Sequence, residues 1–345
     1  MKLTELFFSE KKVNFYFDIA FSSLEKIVSQ EHAILLTDQN MFNAYADLFN
    51  GWNTIIIQSG ELFKQQQTIN EVIAQLIEKE ANKSTWLIGV GGGVVTDIAG
   101  FVGGIYMRGI KTGFVPTTLL AMVDASIGGK NGINVGKYKN MVGMTKQPDF
   151  LLYDYDLLNK LPQQEWANGF AEIIKHACIK DESMFEELEA HSIEYYQSNK
   201  IALAALIEKN IFIKSSIVQI DEIEDGDRKL LNFGHTIGHA IETAYNLPHG
   251  NAISIGMVYA LQLSKEITGF SEVAISRVEK LLMKYHLPLS VDLDKEKIWQ
   301  LIKMDKKRAN TSISYILLEK IGKGIIHDIQ LTDLRQRFEK ITLIS

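Results

Sequence analysis

Cysteine is almost missing from this sequence: among 345 residues there is one, Cys178. A single thiol cannot close an intramolecular disulfide, and without a Cys-x-x-Cys pair there is neither a zinc ribbon nor a redox dithiol, so a reducing compartment fits best. Long apolar runs are missing too. None approaches the roughly 18 residues of a membrane-spanning helix, and the opening segment MKLTELFFSEKK lacks the apolar core of a secretory signal. There is no repeat, no low-complexity tract and no excess of positive charge, the balance being 36 basic against 42 acidic side chains. The expectation is a cytoplasmic protein that binds neither membranes nor nucleic acid. What is present is core material: 46% of residues are hydrophobic, and at about 150 residues per domain the chain makes roughly two domains.

The first 150 residues alternate short β-branched runs with helical patterns. Segments 32–38, 53–57, 86–90 and 112–115 read as buried strands, and 40–49, 65–80 and 94–104 as helices, the second with Ile69, Val72, Ile73, Leu76 and Ile77 on one face. Such alternation predicts a parallel sheet covered by helices. Beyond Asp156 the β-branched runs vanish and helical patterns follow one another over 163–180, 182–196, 199–220, 232–245, 251–268, 272–286 and 294–303, with 314–318 as the exception. The expected division is an α/β nucleotide-binding domain over 1–157 and a mainly α-helical domain over 158–345.

Glycine is average in total, at 25, but 14 of the 25 lie between Gly89 and Gly143, where chance would place about four. Residues 98–148 also hold six cations (Arg108, Lys111, Lys130, Lys137, Lys139, Lys146) against one acid, Asp124. Glycine lets backbone approach a ligand and clustered cations favour anions. Tight turns with solvated lysines are the competing explanation.

Three constellations carry chemistry. The run Gly91-Gly92-Gly93-Val94-Val95-Thr96-Asp97 between a strand and a helix places bare N–H groups where dinucleotide pyrophosphates bind, although its spacing is not G-x-G-x-x-G. Asp38, ending an earlier strand, is either a ribose ligand or a helix cap. In the helical half, Glu172 shares a helix face with Lys175 and His176, His235 and His239 stand at i, i+4, and His249 follows a helix break. Carboxylate and imidazole suit zinc, and three ligands leave a position open for substrate. Thr236 occupies the place of the Glu in His-Glu-x-x-His, which disfavours a zincin protease, and spacing alone leaves open whether one or both of His235 and His239 bind the metal. Asp124, Lys130, Lys139, Asn140, Lys214, Arg228 and Lys306 form a third, scattered set that together suits a phosphorylated or carboxylated small molecule.

Five segments together resemble a known family: GVGGGVVTDIAGFVGGIYMRG (Gly89 to Gly109), VPTTLLAMVDASIGGK (Val115 to Lys130), GFAEIIKHAC (Gly169 to Cys178), LLNFGHTIGHA (Leu230 to Ala240) and HGNAISIGM (His249 to Met257). They are similar to 3-dehydroquinate synthase, of the sugar-phosphate cyclase superfamily, in the same order and spacing. The resemblance implies a Rossmann-like α/β domain followed by a metal-binding helical domain, in a homodimer that uses NAD and a divalent metal, usually zinc, with cobalt the alternative. The implied reaction converts 3-deoxy-D-arabino-heptulosonate 7-phosphate to 3-dehydroquinate and phosphate by oxidation, elimination, reduction and aldol closure, as a lyase of the shikimate pathway that recycles its NAD. The substrate's own phosphate is the implied proton acceptor.

Carried over by position, Glu172, His235 and His249 match the metal ligands, and His239 then contacts substrate. Asp124, Lys130, Asn140, Lys175 and Glu224 match catalytic positions, Lys214, Arg228, Asn232 and Lys306 substrate-binding ones, and Arg108 an arginine that reaches the phosphate across the dimer interface. The NAD-contacting set falls on Asp38, Glu61, Lys64, Gly91, Gly92, Val94, Asp97, Thr117, Thr118, Lys139 and Leu161. The family's Asp-Glu-Arg-Glu-x-Gly-Leu-Arg stands here as Asp221-Glu222-Ile223-Glu224-Asp225-Gly226-Asp227-Arg228, its His-Gly-Glu as His249-Gly250-Asn251, and Asn131 to Lys139 lacks the common His-Pro-Leu-Gly. The alternatives are a valiolone- or inosose-type cyclase and a metal-dependent, NAD-linked alcohol dehydrogenase.

Overall fold

The structure is a computed structural model that describes residues 2–343 apart from 10, 137, 306–310 and 342. Lys137 and Lys306 therefore lie outside the described residues. The chain divides into two compact units, one of residues 1–165 with 200–222, the other of 166–199 with 223–345.

The first unit contains strands β1 (Lys2–Phe8), β2 (Lys11–Phe17), β3 (Ala33–Asp38), β4 (Asn53–Ile57), β5 (Trp86–Gly91), β6 (Lys111–Pro116), β7 (Lys130–Val135), β8 (Tyr138–Thr145) and β9 (Phe150–Tyr153). β7 and β8 form a separate antiparallel ribbon. The others form a seven-stranded sheet in the order β1-β2-β9-β6-β5-β3-β4, parallel except for the β1–β2 pair at its edge. Its inner strands are buried along nearly their whole length, as parallel strands covered on both faces must be. Between the strands lie helices α1 (Gln39–Ala44), α2 (Gln66–Glu78) and α3 (Gly93–Ile105). α2 buries Ile69, Val72 and Leu76, whereas Ile77, expected on the same face, is exposed. The helix expected over 40–49 ends at Ala44, where Tyr45 leaves helical geometry and its hydroxyl donates to the Leu157 carbonyl, 3.1 Å away.

The second unit begins in α4 (Gln163–Lys180) and continues through α5 (Glu182–Ala190) and α6 (Ile193–Ser198). α7 (Lys200–Ile220) returns to the first unit, although the sequence reading put everything past 157 in the second. An ion pair anchors it there: the buried Lys214 reaches the Asp124 carboxylate at 2.8 Å and the Asp124 carbonyl at 2.6 Å. The rest of the second unit is α8 (His235–Tyr245), α9 (His249–Thr268), α10 (Glu272–Lys284), α11 (Lys295–Asp305), the antiparallel hairpin β10 (Ser312–Lys320) and β11 (Lys323–Gln330), and α12 (Leu331–Lys340). α9 is its core helix, buried nearly all round. Cys178 is buried in α4, and burial pushes its thiol far above the ordinary range, which makes it inert. Among the described residues no helix is long and apolar enough to cross a membrane.

Candidate active site

In the second unit, three helices bring their polar residues to one place. Asn246 in the left-handed region (φ 51°) and Pro248 separate α8 from α9, so His235 and His249 each open a helix. α8 approaches α9 closely because Gly256 has no side chain: a Cβ there would lie 1.9 Å from the Gly234 carbonyl oxygen. α9 is tied to α4 by the Gly250 N–H, which donates to Asn168 Oδ1 at 3.0 Å.

The fully buried Glu172 stands between these helix starts. Its Oε1 is 3.3 Å from His249 Nε2 and 3.6 Å from His235 Nε2, while its Oε2 accepts a hydrogen bond from the buried Lys175. One carboxylate oxygen thus faces both imidazoles and the other is held by an ammonium. His235 Nδ1 lies 3.1 Å from the Phe233 carbonyl, which can only accept, so the ring carries its proton on Nδ1 and turns a bare Nε2 toward Glu172. Glu172, His235 and His249 place one ligand atom each within 4.8 Å of one another. Two imidazole nitrogens and one carboxylate oxygen at that spacing fit a divalent metal of the zinc or cobalt type.

Glu242 was not singled out from the sequence. It lies on α8, three residues past His239, and its carboxylate faces His249 Nδ1 at 3.4 Å. The i, i+4, i+7 series His235, His239, Glu242 was the signal for it. His239 is exposed, its ring centroid 4.9 Å from that of His235.

The two imidazoles differ in charge. Burial, then the Lys175 ammonium, pushes His235 well below the usual imidazole value. Burial also works against the charge on His249, but the hydrogen bonds it donates to Glu172 and Glu242 outweigh it and hold this group up to about 10. In the metal-free protein His249 is therefore protonated at neutral pH, and a metal must displace that proton. Zinc or cobalt binding at pH 8 is expected to release about one proton per ion, and the apparent affinity to rise about tenfold per pH unit between roughly pH 7 and 9 before flattening. Chelator-competition titrations across that range, in two buffers of different ionisation enthalpy, check both.

In the first unit, β3 is flanked by β4 on one side and β5 on the other, so the sheet order reverses there. Ligands of open α/β sheets bind outside the strand ends at such a point. Asp38 and Gly91 end these two strands. Asp38 is a helix cap, as one of the two readings had it: its Oδ1 accepts from the Met41 N–H and the Ser59 hydroxyl, both at 3.0 Å. Gly91 is forced by packing, since a Cβ would meet Val95 Cγ2 at 2.6 Å. Gly92 caps α3 without a side-chain hydrogen bond, so no N-cap side chain covers the first N–H groups of the helix, Val94 among them. Thr117 donates its N–H to the Gly91 carbonyl at 3.0 Å, and Thr118 lies against Gly92. An uncapped helix start at a switch point fits a dinucleotide pyrophosphate.

Beside it, Lys64 is buried in an ion pair with Asp97 and donates to Asn140 Oδ1 at 2.6 Å. Burial raises the Asp97 carboxyl above its ordinary value, and Lys64 opposes that shift. Glu61 accepts from Asn134 at 2.8 Å. Lys130 opens β7 and Lys139 lies in β8, whereas Leu161 follows a turn over Tyr155–Lys160. In the second unit Arg228 is buried in the turn Asp227–Asn232, and Asn232 donates to Glu224 Oε1 at 2.5 Å.

A parallel nucleotide-binding sheet with a helical partner unit is the architecture of the sugar-phosphate cyclases. A 2-deoxy-scyllo-inosose synthase solved with carbaglucose-6-phosphate, NAD+ and Co2+ superposes with a TM-score of 0.85 at 26% identity, covering 98% of this chain and 99% of that one. A 2-epi-5-epi-valiolone synthase from Streptomyces hygroscopicus, with NAD+ and Zn2+ bound, shares the fold at a TM-score of 0.87 and 23% identity, covering 98% of both chains. Two family models match the sequence, 3-dehydroquinate synthase N-terminal over residues 54–168 and 3-dehydroquinate synthase C-terminal over 169–308. The 3-dehydroquinate synthase of Thermoanaerobacter pseudethanolicus is 37% identical over 326 residues, which are 91% of this chain and 92% of that protein, and that of Ruminiclostridium cellulolyticum is 37% identical over 302. The chain belongs to the 3-dehydroquinate synthase family.

Proposed function

We propose that this protein converts 3-deoxy-D-arabino-heptulosonate 7-phosphate to 3-dehydroquinate and phosphate, with NAD and a divalent metal as its cofactors. The observation that carries the reading is the convergence of Glu172, His235 and His249 from three helices, in a chain whose family performs this reaction. When bound, NAD supplies a reversible two-electron acceptor and the metal a Lewis acid for the oxidised oxygen.

The chain's own residues then divide the remaining work. Lys175 holds Glu172 so that Oε1 faces the imidazoles, and Glu242 holds His249 by its Nδ1. His239, exposed beside them, is available to move a proton at a substrate hydroxyl. The N–H groups at the start of α3 take the pyrophosphate, and Asp38 takes a ribose hydroxyl on Oδ2, a role supported by the Met41 and Ser59 hydrogen bonds both falling on Oδ1. Within the first unit Lys130, Asn140 and Lys214 supply charge and hydrogen bonds for a phosphorylated keto acid, and Lys139 belongs with the nucleotide.

The test is phosphate release from that substrate, with and without chelator. Chelator-sensitive release with no net NADH is expected. Sustained NADH formation from a simple polyol would indicate a dehydrogenase instead, and turnover of a hexose or heptulose phosphate lacking the carboxylate would indicate a sister cyclase.

A homodimer is part of the proposal. Met107 and Arg108 both lie in the left-handed region (φ 48° and 61°), and Lys83 pins their turn through the carbonyls of Met107 at 2.9 Å and Gly109 at 2.5 Å. Consecutive strained residues of this kind cost about 1–3 kcal/mol each and persist where a side chain must be aimed. The turn lies among exposed apolar side chains, Ile105 and Met107, as expected of a subunit edge.

A further inference from the structure

The sequence and the family place Glu61 and Lys64 with the nucleotide and Asn140 with the substrate, and assign nothing to Asn134. Yet Asn134, in β7, makes hydrogen bonds that join these groups. Its backbone N–H donates to the Lys64 carbonyl at 2.8 Å, its Nδ2 donates to Glu61 Oε1 at 2.8 Å, and its Oδ1 accepts the Asn140 N–H at 2.9 Å. A carboxylate can only accept and a peptide N–H can only donate, so the side-chain amide has one orientation, and asparagine is a residue type that serves both at once.

The bonds close a ring. From the Lys64 carbonyl the path runs to Asn134, from the Asn134 side chain to the Asn140 N–H, and from Asn140 Oδ1 back to the Lys64 ammonium at 2.6 Å. Lys64 in turn pairs with Asp97 on α3, the helix that starts at Gly92 and Gly93. Asn140 sits at φ 53°, a left-handed conformation that an L residue holds within a strand only when something fixes it. Here its N–H is held by Asn134 and its side-chain oxygen by Lys64.

We propose that Asn134 is a positioning residue that couples nucleotide binding at Glu61 and Lys64 to the conformation of Asn140, so that the bound dinucleotide prepares the ribbon for the phosphorylated substrate. This rests on the cofactor and substrate roles proposed above. A nucleotide that touches Glu61 or Lys64 shifts two of the groups that hold Asn140, and coupling between two binding sites is reciprocal.

The experiment uses the full-length, metal-loaded protein, NAD, and a phosphonate analogue of the keto acid that cannot eliminate phosphate. Calorimetry gives the affinity of each ligand alone and in the presence of the other. In the unaltered protein NAD is expected to tighten analogue binding by a factor of about 5–150. In Asn134→Leu that factor is expected to fall to within about twofold of unity, with thermal unfolding showing a folded protein. If leucine impairs folding, Asn134→Asp takes its place, since it keeps the acceptor for Asn140 and loses the donor to Glu61. Combining Asn134→Asp with Glu61→Gln should recover coupling, because the new amide at 61 donates to the new carboxylate at 134; a general packing defect would not be rescued in this way. Undiminished coupling in a folded Asn134 variant, or no coupling in the unaltered protein with both ligands bound, overturns the inference while the functional reading stands. Failure of the unaltered protein to bind NAD at all overturns both.

Discussion

Glutamine in place of Glu172 is expected to lower metal-dependent phosphate release by a factor on the order of 10³, since Lewis-acid stabilisation is worth several kcal/mol and each ~1.4 kcal/mol is a decade of rate. The side chain keeps its shape and loses its charge. Glu172 is fully buried, one oxygen facing His235 and His249 and the other bonded to Lys175. An amide there offers a weaker ligand and removes the counter-charge of a buried ammonium, which costs about 3–5 kcal/mol when it goes uncompensated. Phosphate release and metal content should fall together, and His249→Ala should behave alike. Full activity in either variant would refute the metal assignment.

The second large effect is one of recovery. Arg108→Ala and Lys175→Ala are each expected to be nearly inactive, yet a mixture of the two after subunit exchange should regain about a quarter of normal activity. In a two-fold dimer with random exchange about half the dimers are mixed, and each mixed dimer holds one site with both its own lysine and its partner's arginine. Phosphate-release assays on the separate and mixed proteins, with the oligomeric state followed by light scattering, decide it. No recovery in proteins shown to exchange would place Arg108 in its own subunit's site or in none.

Strands β3, β5 and β6 and the long helices were legible because each is buried by a simple rule, continuous apolar runs in the first case and a 3.6-residue period in the second, and the edge strand β4 was legible from its β-branched run. Most of the elements left unread break those rules, while the buried β9 (Phe-Leu-Leu-Tyr) follows them but is only four residues long. β1 and β2 alternate polar with apolar residues and carry lysines at the sheet edge, β8 is exposed along most of its length, and α12 buries little beyond Leu334 and Phe338. At the site, spacing located the histidines but could not choose between His235 and His239. That choice came from the resemblance: the structure puts His235, Glu172 and His249 in one possible ligand group and His239, Glu242 and His249 in another. Glu242 and Asn134 stayed hidden because each acts through another residue, and such partners are defined by three-dimensional proximity.

Helix α7 bears on how genes of this family can recombine. The chain leaves the sheet unit after residue 165, returns at 200 and leaves again after 222. A single crossover between two homologues at 168/169, where the two family models meet, would lay one parent's α7 on the other parent's sheet and pair a foreign Lys214 with the resident Asp124. A clean exchange needs two further junctions, at the 199/200 and 222/223 seams, so that residues 200–222 travel with the sheet. In evolutionary terms the halves of this molecule are harder to shuffle than its linear map suggests.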